Sequence, residues 1–78
     1  MKNKELEKLV YESLLHPKYQ WRTIRGIAKQ TNLPPGDVKK LLDILMKKNE
    51  VRKAYVEDVR GNDLYGLISR VDMDLERL

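Results

Sequence analysis

The sequence contains no cysteine, one histidine, one tryptophan and no apolar run of any length among its 78 residues. Without cysteine there is no disulfide framework, no thiolate nucleophile and no zinc ribbon. The single His16 has no second histidine or cysteine beside it, which leaves no ligand set for a transition metal. No apolar stretch approaches the roughly 20 residues that cross a bilayer, and the N-terminal MKNKELEKL has no apolar core of the secretory kind. Glycine-rich phosphate loops, nucleophile–base pairs, internal repeats and low-complexity tracts are missing as well. The expectation is a cytoplasmic binding protein with no membrane contact, no cofactor and no enzymatic chemistry.

What is present points to one small, helix-rich domain. A chain of this length buries only about 60% of its unfolded surface. Hydrophobic residues at 41% are too many for a disordered chain, and charged residues at 36% are too many for a membrane protein. The net charge of +4 is unevenly spread. Residues 23–53 hold eight basic and three acidic side chains, for +5, whereas residues 54–78 hold three and six, for −3. A polyanion would meet the middle of the chain.

Lys4 to Leu15 carries Leu6, Leu9, Val10, Ser13 and Leu14 at helical spacing, with Asn3 suited to the N-cap and Pro17 ending the segment. Lys18 to Arg22 holds Tyr19 and Trp21 two apart, as in a short extended stretch. Thr23 then caps a second helix with Ile24, Ile27 and Ala28 inward, and Gly26 suggests a close helix contact there. The tandem Pro34-Pro35 forces a tight turn, and Pro35 suits the first position of a third helix, 35–48. In that helix Val38, Leu41, Leu42 and Leu45 form the buried stripe. Val51 to Val59 and Leu64 to Ser69 read as strands joined by a turn at Arg60-Gly61-Asn62-Asp63. Residues 71–78 form an acidic tail, either a short helix or a frayed end.

The order is helix, short strand, helix, tight turn, helix, hairpin. Thr23-Ile24-Arg25-Gly26-Ile27-Ala28, Thr31-Asn32-Leu33, the Val38/Leu41/Leu42/Leu45 stripe, Val51, and the Tyr65–Leu67 pair together resemble a winged helix-turn-helix domain over about residues 4–70. The resemblance implies an α+β, mostly helical fold: three helices and a C-terminal β-hairpin wing, with domain 1–70 and tail 71–78. It also implies double-stranded DNA as partner, and a small transcriptional regulator or DNA-binding accessory factor, nucleoid-associated within the cytoplasm. Helix 35–48 would then enter the major groove and the wing at 60–63 would lie alongside.

The residues expected to meet DNA are Lys39, Lys40 and Lys47 on the third helix, within about 100° of one another. Arg22 and Arg25 flank or line the second helix, and Arg60 and Asn62 sit at the wing tip. The plainer alternative for the lysines is a solvated helix face with Asp43 and Lys47 paired at i, i+4. Tyr11 and Leu15 fall opposite the main stripe of the first helix, so with Leu75 and Leu78 they suit a homodimer surface or packing of the tail. Asp37, Asp43, Ile44 and the acidic C-terminal third motivate a second reading, a module for protein–protein contact in a larger assembly. RNA shares the same basic patch, and exposed rings at Tyr19, Trp21 or Tyr55 would favour it.

Overall fold

The computed structural model describes residues 3–71. Three helices, α1 (Asn3–Ser13), α2 (Ile24–Thr31) and α3 (Pro35–Lys47), precede two short strands, β1 (Val51–Lys53) and β2 (Tyr65–Leu67). The strands pair antiparallel, with Val51 opposite Leu67, Arg52 opposite Gly66 and Lys53 opposite Tyr65. Arg22 extends the sheet on the other side of β2 as an isolated bridge to Tyr65, closed by two hydrogen bonds of 2.8 Å. The short extended stretch expected at Lys18–Arg22 is thus present at its last residue.

Local chemistry sets the helix ends. Thr23 is the N-cap of α2, and its hydroxyl accepts from the Gly26 N–H at 3.0 Å. α2 ends with Asn32 in the left-handed conformation and a Leu33 N–H bond to the Ala28 carbonyl. α3 starts at Pro35 as the sequence suggests, with Pro34 at the uncapped N-cap position. It ends with Asn49 left-handed, the Glu50 N–H on the Leu45 carbonyl and the Asn49 N–H on that of Met46. That bond pair is the Schellman arrangement, here built on asparagine instead of glycine.

The core joins Val10 of α1 and Leu14 just past its end, Ile27 and Ala28 of α2, the α3 stripe, Val51, Tyr65 and Leu67. All four expected α3 residues are buried. α1 is shorter than expected, ending at Ser13, and Leu9 is exposed because the packed face centres on Val10 and Leu14. α1 has no basic residue in its last turn. Two distant arginines supply the missing positive charge. The Arg22 guanidinium donates to the Ser13 carbonyl at 3.2 Å, and Arg70 donates to those of Leu14 at 2.7 Å and His16 at 3.0 Å.

Gly26 does not admit a neighbouring helix as expected. A Cβ there would lie 3.3 Å from Arg22 Nη2, so the close neighbour is a guanidinium. Gly66 has the tighter surroundings: a Cβ would lie 2.7 Å from the Gln20 carbonyl oxygen and 2.8 Å from Val71 Cγ1. Residues 68–71 turn helical, and Val71, read as the start of the tail, is buried in that contact. Leu75 and Leu78 lie outside the described residues. No helix among the described residues is long and apolar enough to cross a membrane.

Candidate nucleic-acid interface

α3 buries one face and offers the other to solvent, because its apolar residues repeat at i, i+3, i+4 and i+7. Lys39, Lys40 and Lys47 stand exposed on the solvent side. Lys39 pairs with Asp43 at 2.9 Å, so the i, i+4 pair runs from Lys39 and not to Lys47 as the sequence suggests. The Asp43 hydrogen bond raises the Lys39 pKa above its ordinary value, with the nearby Tyr65 phenol adding to the effect. Lys39 Nζ lies 5.9 Å from the centroid of the Tyr65 ring, which carries the α3 face onto the hairpin.

The strands are shorter than the runs of β-forming residues. The pairing continues only to the Ala54–Leu64 hydrogen bond, and residues 55–63 form a loop. Asp58 organises its tip. Its carboxylate accepts the N–H groups of Arg60 at 2.9 Å and Asn62 at 2.8 Å, and the Asn62 amide at 3.2 Å. These bonds, the Asn62 backbone N–H foremost, hold its pKa below the ordinary carboxylate value. Gly61 takes φ +80°, which closes the turn where glycine was expected to do so.

The tip faces the start of α2. Thr23, Arg25, Gly26 and Lys29 form one wall of an open cleft of about 370 Å³, and Asp58, Val59, Arg60 and Asn62 form the other. Arg25, Lys29 and Arg60, far apart in the chain, therefore share one cleft, whose single carboxylate is already engaged by backbone N–H groups. Arg22 points elsewhere. Its guanidinium donates to the Ser13 and Gly26 carbonyls, both at 3.2 Å, and to Gln30 Oε1 at 2.5 Å. Asn62 is exposed, with its side-chain amide on Asp58.

Other expected contacts fall differently. Tyr11 is half-buried against the core, while Leu15 is 49% exposed. Trp21 lies half-buried over Gly66, and Tyr19 is exposed beside His16, ring centroids 5.0 Å apart. The His16 imidazole accepts the Lys18 N–H at 3.1 Å, a structural role at the end of α1. Sequence reasoning did not foresee the apolar wing. Tyr55 is 93% exposed, with Val56 and Val59 exposed beside it. The Arg52 guanidinium lies 4.8 Å from the Tyr55 ring and 6.0 Å from that of Trp21, on the sheet face opposite Val51 and Tyr65. Among the described residues no group of three or more His, Cys, Asp or Glu side chains is placed to hold a metal ion.

No protein-family model and no curated protein matches the sequence. Solved structures do match. The Zalpha domain of Carassius auratus PKZ, crystallised in complex with Z-DNA, superimposes with a TM-score of 0.68 at 18% identity, over 83% of this chain and 95% of that one. A mutant of Lactococcus lactis ZitR in its apo form gives 0.59 at 20% identity, over 96% of this chain and 52% of that one. The chain has the winged-helix fold: three helices followed by an antiparallel hairpin. It spans about half the length of ZitR.

Proposed function

We propose that this chain is a duplex-DNA-binding winged-helix domain, a small transcriptional regulator or DNA-binding accessory factor and not an enzyme. α3 enters the major groove, where Lys39, Lys40 and Lys47 meet phosphates and base edges. Arg25, Lys29 and Arg60 clamp the adjacent backbone across the α2–wing cleft. The observation that carries this reading is the placement of six exposed cations on the recognition helix, α2 and the wing. Arg22 serves the frame of the domain, and Asn62 holds the wing tip in shape. The complex of a fold neighbour with Z-DNA supports the reading.

Fluorescence anisotropy of a mixed-sequence 25-bp duplex, repeated across salt concentrations, tests it. Log K should fall linearly with log salt, and Lys39→Ala, Lys40→Ala and Lys47→Ala should each flatten the slope by about one. Absence of binding at low salt refutes it. An alternating CG duplex held in the left-handed form belongs in the same series, since it reports which helical form the face prefers.

One observation favours a second reading, a protein-contact module. Tyr55, Val56 and Val59 give the wing an exposed apolar tip that phosphate contact does not require. If duplex binding fails, this tip is where a protein partner is to be sought.

A further inference from the structure

Tyr65 stands where α3 meets the hairpin. Its side chain is fully buried, and its hydroxyl has no hydrogen-bond partner among the described residues. A buried hydroxyl without an acceptor costs stability, and phenylalanine would fill the same space without that cost. Among the described residues the hydroxyl therefore has no acceptor, and its neighbour is the Lys39 ammonium.

Two cations flank it, each held by a carboxylate. Lys39 lies over the ring with Nζ 2.9 Å from Asp43 Oδ1, and its side chain is 48% exposed. Lys53 is the cross-strand partner of Tyr65, so it projects from the same sheet face, with Nζ 3.7 Å from Asp63 Oδ2. Ion pairs this exposed hold weakly and exchange readily.

We propose that the Tyr65 hydroxyl, with Lys39 and Lys53, forms a binding site for a backbone phosphate of DNA, closed in the free protein by the Lys39–Asp43 pair. The proposal rests on the DNA-binding reading above and deepens it. As a duplex approaches, Lys39 leaves Asp43 for a phosphate oxygen and its stem lifts from the ring. The uncovered hydroxyl then donates to the same phosphate, a charge-assisted bond stronger than one between neutral groups. Lys53 completes the cradle from β1. Asp43 and Asp63 are left facing the phosphates, so the site opens only where the backbone runs close enough to all three donors.

The test uses the full chain and a mixed-sequence 20-bp duplex, with anisotropy and thermal melting of each variant. Tyr65→Phe should melt at a higher temperature than the parent and bind about 5- to 10-fold more weakly. Its salt slope should stay unchanged, because no charge is removed, whereas Lys39→Ala should flatten the slope by about one. Asp43→Asn, which frees Lys39, should bind about 3- to 10-fold more tightly. Equal or tighter binding by Tyr65→Phe, or a lower melting temperature, overturns the hydroxyl's role. Unchanged or weaker binding by Asp43→Asn overturns the closing pair. A parent chain that binds no duplex refutes the DNA reading itself; a parent that binds while Tyr65→Phe binds equally refutes the phosphate site alone.

Discussion

Arg22→Ala separates the frame of this domain from its binding face. The Arg22 side chain reaches the Ser13 carbonyl at the end of α1, the Gly26 carbonyl inside α2, and Gln30 one turn further along the same face of α2. Truncation leaves the Ser13 carbonyl without this donor and removes a positive charge from the negative end of α1. A charged hydrogen bond of this kind contributes about 1.5–3 kcal/mol, the helix-end charge adds up to about 1, and the exposed Gln30 contact adds little. The expected loss is about 2–3 kcal/mol. In a domain of this size that lowers the melting temperature by about 10–20 °C. Urea denaturation reads the same loss as a lower midpoint at unchanged slope. Folded Arg22→Ala, assayed at low temperature, should keep the salt dependence of duplex binding. Arg25→Ala should do the reverse: stability within about 0.5 kcal/mol of the parent, and a salt slope flatter by about one. If Arg22→Ala keeps full stability, or flattens the salt slope as Arg25→Ala does, the assignment of Arg22 to the frame is wrong.

Further outcomes follow from the same contacts. Gly66→Ala pushes a methyl group against the Gln20 carbonyl, which is backbone and cannot swing away, so denaturation should show a loss of about 3 kcal/mol. Arg70→Ala removes the donor to the Leu14 and His16 carbonyls and should cost about 2 kcal/mol by the same assay; a loss under about 0.5 would contradict its role. Asp58 has a folded-state pKa below the unfolded value, so its support of the wing tip is complete above the ordinary carboxylate value and is lost as pH falls through the lowered one. NMR titration of the Arg60 and Asn62 amides should give a midpoint below that ordinary value, and a midpoint at or above it would refute the brace.

The parts legible in the sequence are those with local signals. Thr23 and the tandem prolines mark helix starts because capping and proline geometry act within a turn of chain. The α3 stripe was readable because Val38, Leu41, Leu42 and Leu45 repeat with the helix itself. Strand length was not readable. Tyr55, Val56 and Val59 have β-forming side chains, but Asp58 gathers the N–H groups of Arg60 and Asn62 into a turn, and the ladder stops at Ala54 and Leu64. The closure of α1 was hidden too, since Arg70 lies 56 residues from the Leu14 carbonyl it meets. At the site, the lysines of α3 stand exposed where their spacing put them. Arg22 looked like its basic neighbours and is instead turned inward, because the bridge to Tyr65 puts its side chain on the core side of the sheet. The cleft joining Arg25, Lys29 and Arg60 needed the fold, as no spacing in the chain brings α2 to the wing.

The most direct measurement is an amide NMR titration of the full chain with a mixed-sequence duplex at low salt. The account predicts shifts concentrated in residues 36–47 of α3, in Arg25 and Lys29, and in residues 58–65 of the wing, with α1 little changed. Shifts centred on α1, or none at saturating duplex, would contradict it.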